Sequence, residues 1–268
     1  MGNGYTITYN SNDKGASGDF TLGVRGGTLN LGNPDKTDTL TITTNNKQNH
    51  SSPLISVLGG GTVNMYDGVT LTGNICTSSN AGGVDIQSGT FNMYGGEISN
   101  CESLFGYGGG VWVLGRTSTF HMYGGAISGN KATGFHTNGK SYGGGVLVFD
   151  GATFIMSGGL ITKNHAWNST ENTVNNYGGG VCIYLATATI TGGKIEGNCC
   201  DSGRGYGGGV CNYFGSLEVK NCSITDNKAN FGGGAAVYSV NNSEKYPGQM
   251  IFENCAIQNN TAEEAGGA

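Results

Sequence analysis

The sequence is poor in charge, and this scarcity excludes several kinds of partner. Charged residues make up only 12% of the 268 residues, and the net charge is −5. A protein that binds nucleic acid needs a basic surface that neutralises phosphates, which this composition does not offer. No cluster of lysine and arginine suits an anionic membrane surface either. We therefore expect no nucleic-acid partner.

Long apolar runs are also missing. No stretch approaches the roughly 18 apolar residues from which a membrane-spanning helix is inferred, so we expect no membrane insertion of this segment. The first residues, from Met1 to Tyr5, lack the charged and apolar regions of a secretion signal. We expect the sequence to be part of a longer protein.

The spacing of cysteines and histidines along the sequence contains no metal-binding motif. The eight cysteines form no Cys-x-x-Cys pair, and the histidines share no metal spacing, so the sequence predicts neither a metal site nor a cofactor. Those histidines are His50, His121, His136 and His165.

The cysteines leave their redox state open. Cys222 and Cys255 occupy equivalent places in neighbouring repeats, as do Cys182 and Cys211. Neighbours about 4.8 Å apart fall within the Cα separations of disulfides, although parallel side chains suit that geometry poorly. The sequence is compatible both with disulfides and with buried free thiols at these two pairs.

Glycine is the residue that the sequence has in excess. Its 52 copies make up roughly a fifth of the chain, against a usual share of about 7%. The glycines come in clusters rather than at every third position, which excludes collagen, and the recurring apolar residues exclude disorder. One motif is an aromatic residue followed by three glycines and a small apolar residue. Its copies begin at Tyr107, Tyr142, Tyr177, Tyr206 and Phe231.

A second motif follows each glycine cluster. It reads as an apolar residue, one spacer, a two-residue turn and then an isoleucine and an asparagine, as in the copy that runs from Met93 to Ile98. Successive copies are about 28 to 34 residues apart, a period typical of solenoid repeat proteins. The copies begin at Met65, Met93, Met122, Met156, Ile190, Val219 and Phe252.

Each repeat contains three short apolar segments, of the forms Val-x-Val, Phe-x-Met and one centred on isoleucine. Alternation places the first and third residues of the first two segments inside, and runs this short are typical of strands rather than helices. The pattern predicts an all-β fold, a right-handed parallel β-helix (β-solenoid) with three short strands per coil and about seven to eight coils. We expect residues 1–45 to form an N-terminal strand or cap region. Residues 46–268 should form the repeats, which we expect to continue beyond the C-terminus in a parent protein.

The paired motifs resemble a known repeat family. The glycine clusters followed by Ile-x-x-Asn resemble the GGA(I/V) and FxxN repeats of chlamydial polymorphic outer-membrane proteins, over roughly residues 59–268. The resemblance implies a bacterial adhesin or stalk that is secreted or exposed on the cell surface. It also implies a surface glycan or protein, of host or microbial origin, as partner.

A recurring asparagine follows the third segment of each repeat. Asparagine tolerates the left-handed conformation that a sharp corner needs, and stacked amides can form hydrogen bonds along the rod. The sequence therefore predicts a structural asparagine ladder. Its expected members are Asn74, Asn100, Asn130, Asn164, Asn198, Asn227 and Asn260.

Aromatic residues provide the candidate binding positions. Tyr66, Tyr94 and Tyr123 hold one position on three successive coils and should face outward by alternation. Such a row could bind sugar rings or a protein partner, or it could be a self-supporting surface stack. Trp112 also points outward from its strand, where either the long loops cover it, which we favour, or it forms an exposed apolar patch.

Three classes of function remain at this point. The leading one is a non-catalytic adhesin, stalk or binding scaffold. A polysaccharide lyase, glycoside hydrolase or carbohydrate-binding module is the second, and its chemistry would need clustered acids, which the outward positions of neighbouring coils do not provide. We predict no catalytic residue, although Asp150, Glu171 and Asp201 lie in corners or loops that could converge. The third is a self-assembling fibre subunit that associates end to end through an open terminal coil.

Overall fold

The structure, a computed structural model, is built from strands alone. It describes residues 4–8, 22–35, 39–45, 51–77, 81–135, 139–168, 174–239 and 248–265. These residues form 32 strands and no helix, so the described part of the chain has no helix that could cross a membrane. The prediction of an all-β fold is confirmed.

The strands repeat in a fixed order along the chain. Four strands open the chain: β1 (Gly4–Thr8), β2 (Leu22–Arg25), β3 (Thr28–Leu31) and β4 (Thr39–Thr43). The next two repeats each begin with a long strand: β5 (Ile55–Met65), β6 (Val69–Thr72) and β7 (Ile75–Cys76), then β8 (Val84–Met93), β9 (Glu97–Ser99) and β10 (Glu102–Ser103).

In the later repeats the long strand is divided in two. The third repeat has β11 (Val111–Leu114), β12 (Thr119–Met122), β13 (Ala126–Ser128) and β14 (Lys131–Thr133). The fourth has β15 (Val146–Phe149), β16 (Thr153–Met156), β17 (Leu160–Thr162), β18 (His165–Trp167) and β19 (Asn175–Tyr177).

The last described repeats follow the same order. One contains β20 (Val181–Tyr184), β21 (Thr187–Ile190), β22 (Lys194–Glu196), β23 (Cys199–Cys200) and β24 (Arg204–Tyr206). The next contains β25 (Val210–Tyr213), β26 (Ser216–Lys220), β27 (Ser223–Thr225) and β28 (Lys228–Phe231). The final one contains β29 (Ala235–Tyr238), β30 (Gln249–Glu253), β31 (Ala256–Gln258) and β32 (Thr261–Ala265).

These strands form three parallel sheets. The isoleucine sheet has the order β1-β4-β6-β9-β13-β17-β22-β27-β31. The large sheet has 14 strands and contains both the Val-x-Val and the Phe-x-Met segments, which β5 and β8 join. The short-strand sheet contains β7, β10, β14, β18, β19, β23, β24, β28 and β32. Parallel strands in stacked sheets are consistent with a parallel β-helix.

Equivalent residues of successive repeats are paired in register. Met93 pairs with Met122, and Met122 with Met156. The same holds on the isoleucine sheet, where Ile98 pairs with Ile127 and Ile127 with Ile161. Because neighbouring strands lie about 4.8 Å apart, residues at equivalent positions of successive repeats form columns along the stack.

The short-strand sheet adds a segment that the sequence analysis did not predict. Three strands per repeat were expected, yet a further strand of two to five residues follows the asparagine position in each repeat from β7 to β32. Its outward positions carry unrelated residues, such as Glu102, Lys131 and His165, so no repeating apolar pattern marks it in the sequence.

The inward residues form one continuous core. Val111, Val113 and Phe120 are fully buried, as alternation predicts, and Phe120 packs face to face on Phe154 with ring centroids 5.1 Å apart. The core of apolar columns continues through every described repeat. At the last described repeat the inward side chains Val237 and Phe252 are exposed.

The N-terminal strands join the same sheets as the repeats. β1 pairs with β4 in the isoleucine sheet, and β2 and β3 both pair with β5 in the large sheet. The division of the chain at residue 45 stays a prediction, and so does end-to-end association through the last repeat.

Candidate functional site

The three tyrosines of the predicted outward row form one stacked column. The ring centroids of Tyr66 and Tyr94 are 5.2 Å apart with planes at 10°, and those of Tyr94 and Tyr123 are 4.9 Å apart at 6°. Tyr94 and Tyr123 are each 44% exposed. The facing surfaces of neighbouring rings therefore cover one another.

Small residues end this tyrosine column on both sides. The register that pairs Leu31 with Met65 brings Gly32 opposite Tyr66. At the other end, the pairing of Met122 with Met156 places Ser157 after Tyr123 in the column. Since neither Gly32 nor Ser157 carries a ring, no further ring of the column stacks on either terminal tyrosine, and Tyr66 is half-buried.

A shallow pocket lies beside Tyr66 and Tyr94. Its volume is about 240 Å³, and its lining residues are Asn33, Pro34, Tyr66, Asp67 and Tyr94. This volume is below that of pockets for drug-sized ligands and fits a single ring. The pocket combines an aromatic face with an amide and a carboxylate, a combination that suits a polyhydroxylated ring.

A row of amides runs beside the tyrosine column on the same outer face. The Asn92 side-chain amide donates to Asn64 Oδ1 at 2.9 Å, and that of Asn64 donates to Asn30 Oδ1 at 2.8 Å. The next position holds His121, whose Nδ1 lies 3.0 Å from the Tyr123 hydroxyl. Sequence analysis missed this amide row because Asn30 lies outside the recognised repeats.

A buried ladder contains five of the seven asparagines expected there. The Nδ2 of each of the first four donates to the Oδ1 of the next member at 2.9 to 3.0 Å, and the Nδ2 of all five donates to a backbone carbonyl of the isoleucine sheet. Each ladder carbonyl also accepts the backbone N–H of the preceding member. The members are Asn130, Asn164, Asn198, Asn227 and Asn260.

Asn74 and Asn100 behave differently from these five. Asn74 is buried at the equivalent corner, where its amide donates to Ser52 O and Gly82 O. The prediction that Asn100 belongs to the ladder is wrong, because Asn100 is exposed and Cys101 occupies the ladder position. There the backbone N–H of Cys101 donates to Asn130 Oδ1.

The left-handed residue at this corner precedes the ladder position. Asn100 has φ of 51°, and Lys163 and Asp226 have φ of 55° and 58° at the equivalent positions of later repeats. None of the ladder asparagines has positive φ. Asparagine is therefore present in the ladder for its amide hydrogen bonds and not for its backbone conformation.

Glycine clusters make room for the ladder. A Cβ on Gly145 would lie 3.0 Å from the Asn164 side chain and 2.7 Å from the carbonyl oxygen of Gly180. The third glycine of the later clusters meets its own ladder asparagine in the same way. The two motifs that repeat along the sequence are thus in contact at one corner of each repeat.

Trp112 is not an exposed binding residue. It is only 6% exposed and lies in a second apolar cluster on the outer side of the large sheet, so its assignment as a binding position is wrong. The aromatic residues that precede the glycine clusters cover this outer side. They form one column of stacked rings: Tyr107, Tyr142, Tyr177, Tyr206 and Phe231.

Asp85 is buried under the same covering layer. It pairs in register with Trp112, its Oδ2 accepts a hydrogen bond from Gln87, and burial raises its pKa to about 7. Among the described residues, neither Asp85 Oδ1 nor Trp112 Nε1 has a hydrogen-bond partner. Burial likewise raises the pKa of Tyr142 and Tyr177 well above the usual value for tyrosine.

All eight cysteines are free thiols in the structure. Cys182 and Cys211 pair in register and are fully buried, and burial raises the pKa of both thiols. Cys222 and Cys255 donate to separate backbone carbonyls. Disulfides and free thiols were the two alternatives for these pairs, and the structure shows buried or half-buried thiols.

One polar cluster outside the tyrosine column brings together residues that are 27 to 36 positions apart in the chain. His165 Nε2 lies 3.2 Å from Asp201 Oδ1, and Lys228 Nζ lies 3.0 Å from Asp201 Oδ2. Cys199 lies beside them, and Lys228 also forms an ion pair with Glu263 at 2.9 Å. The hydrogen bond from His165 is the main reason that the pKa of Asp201 is below its usual range.

Of the other acidic residues considered from the sequence, the structure describes only Asp150, which lies outside this cluster. Asp150 is exposed in the turn between β15 and β16. Glu171 lies outside the described residues. Of the three acids, the described structure places only Asp201 beside other titratable groups.

Comparisons with known proteins leave the family open. No protein-family model matches the chain, and neither curated proteins nor solved structures show a significant match. The resemblance of the repeats to polymorphic outer-membrane proteins therefore has no support from a family match and stays a prediction.

Proposed function

We propose that the chain is a non-catalytic, right-handed β-helical scaffold of a secreted or surface-exposed protein, and that it binds glycans in the pocket beside Tyr66. The observation that carries this proposal is the pocket of about 240 Å³ at this end of the tyrosine column, which Tyr66 and Tyr94 line together with Asn33, Pro34 and Asp67. Crossover connections between parallel strands of one sheet are right-handed in nearly all cases, and each repeat connects two such strands, which supports the handedness.

The chemistry of the pocket favours a sugar over a peptide. A pyranose has apolar C–H faces that stack on an aromatic ring, and its hydroxyl groups can bond to Asn33 and Asp67 at the rim. The neighbouring row of Asn30, Asn64 and Asn92 extends this polar surface along the rod. An extended polysaccharide could follow the row while one residue occupies the pocket.

A glycan array on the full chain tests this proposal, followed by titration of the strongest ligand. We expect Tyr66→Ala to weaken binding about tenfold, the effect of losing roughly 1.4 kcal/mol of aromatic contact. Tyr66→Phe keeps the ring and should retain most of the affinity. An array without a ligand, or a Tyr66→Ala variant with unchanged affinity, would contradict the proposal.

A matched variant at the other end of the tyrosine column serves as the control. Ser157→Tyr adds a ring next to Tyr123 in the column at an exposed position and leaves the Tyr66 pocket untouched. We expect unchanged affinity for this variant. If incubation shortened the bound glycan, the result would instead favour the alternative function, a polysaccharide-acting enzyme.

A further inference from the structure

The cluster around Asp201 is built by strand register. β18 pairs with β23 so that His165 lies opposite Cys199, and both side chains point away from the small inward residues Ala166 and Cys200. Asp201 follows Cys199 by two residues. The three side chains thus meet outside the short-strand sheet and are half-buried.

We propose that His165, Cys199 and Asp201 form a binding site for a divalent cation of the zinc class. Their ligand atoms all lie within 4.8 Å of one another. A tetrahedral centre with metal–ligand distances of about 2.0 to 2.1 Å separates its nitrogen and oxygen ligands by about 3.3 Å. The distance of 3.2 Å between His165 Nε2 and Asp201 Oδ1 matches such an edge.

The ligand set selects the type of metal. A thiolate and an imidazole nitrogen favour zinc over calcium and magnesium, which prefer oxygen ligands. Binding releases the thiol proton of Cys199 to solvent. The neutral imidazole exchanges its proton through solvent from Nε2, where it donates to Asp201, to Nδ1, so that Nε2 can ligate the ion. One thiolate and one carboxylate then balance the two positive charges of the ion, so the filled site is neutral.

Neighbouring residues orient the carboxylate ligand. Lys228 holds Asp201 Oδ2 at 3.0 Å, which directs Oδ1 towards His165, and Glu263 pairs with the ammonium of Lys228. Carboxylates that ligate metal ions are typically held by hydrogen bonds of this kind. Three protein ligands in a half-buried position leave a fourth place for water or an external ligand.

Cobalt(II) titration of the reduced, metal-free full chain tests the site. We expect a thiolate-to-cobalt charge-transfer band that saturates at one ion per chain and disappears when zinc is added. Cys199→Ser should abolish the band. His165→Gln should weaken cobalt binding at least about tenfold, and it carries the test if the cysteine variant fails to fold.

A second cysteine supplies the matched control. Cys255 is also half-buried but lies outside the cluster, so Cys255→Ser should leave the band and the affinity unchanged. The proposal would be overturned by a wild-type chain without the band. A band that survives Cys199→Ser, or an affinity that His165→Gln does not change, would overturn it as well.

Discussion

Asp85 shows how a single residue can make this rod sensitive to pH. Its carboxyl group is buried beside Trp112, and Gln87 supplies its one hydrogen bond. Because burial disfavours the charged form, the pKa rises to about 7 in the folded chain, against 3.8 for an unperturbed aspartate. The folded state therefore holds a proton between these two values that the unfolded state releases.

The sign of the resulting pH dependence follows from linkage. Where the folded state binds more protons, stability falls as pH rises, so the contribution of Asp85 is most favourable near pH 4 and is lost by about pH 7. We expect Asp85→Asn to flatten the pH profile of the unfolding free energy across this window. The variant should also be more stable than the wild type above pH 7. Urea unfolding at several pH values between 4 and 8 measures both effects.

Asp150→Asn is the control for this experiment. Asp150 is exposed in a turn with φ of 56°, a conformation that asparagine tolerates, so its replacement should leave the pH profile unchanged. If the stability difference between wild type and Asp85→Asn did not vary with pH, the buried carboxyl would not be the source of the dependence.

At the scale of elements, the corner between the isoleucine sheet and the short-strand sheet holds successive repeats together. Asn164 donates to Ile127 O and Asn198 Oδ1, and its own Oδ1 accepts two hydrogen bonds from Asn130. Removing this buried amide leaves several polar groups without partners. We expect Asn164→Ala to lower the unfolding free energy by about 3 kcal/mol in urea unfolding.

Asn100→Gly is the matched control at the same corner. Asn100 is exposed with positive φ, and Gly129 occupies the equivalent position in the next repeat. Glycine adopts this conformation without strain, so we expect a change within about 0.5 kcal/mol. Equal destabilisation by the two variants would contradict the distinction between the ladder and the left-handed position.

The strands and their register could be predicted because the chain repeats a simple pattern. Short apolar alternation marks the strands, and the three-residue step from Ile127 to Asn130 marks the ladder. Asn100 breaks that step, since it follows Ile98 by two residues and Cys101 holds the third place. Counting from the isoleucine, rather than choosing the nearest asparagine, would have identified the exception.

The cluster around Asp201 and the identity of the residues that cover Trp112 could not be predicted in this way. His165 directly follows the ladder position, but without a recognised strand there it had no partner in the next repeat. Trp112 lies on an outward position, and its burial depends on the aromatic column that covers the large sheet. Both features arise from contacts between distant segments that leave no periodic signal.

At the scale of the whole molecule, stacking in register produces every feature described above. It creates the tyrosine column that ends at Tyr66, the buried ladder, and the meeting of His165 with Cys199. A shift by one residue would turn the inward side chains outward and separate all three. The central claim is therefore that equivalent residues of successive repeats lie in direct contact.

Nuclear Overhauser contacts between asparagine side-chain amides test that claim most directly. In a chain labelled with ¹⁵N-asparagine, we expect slowly exchanging amide protons with cross-peaks that connect Asn130 to Asn164, Asn164 to Asn198, Asn198 to Asn227 and Asn227 to Asn260. Rapidly exchanging amides without cross-peaks between these residues would contradict the account.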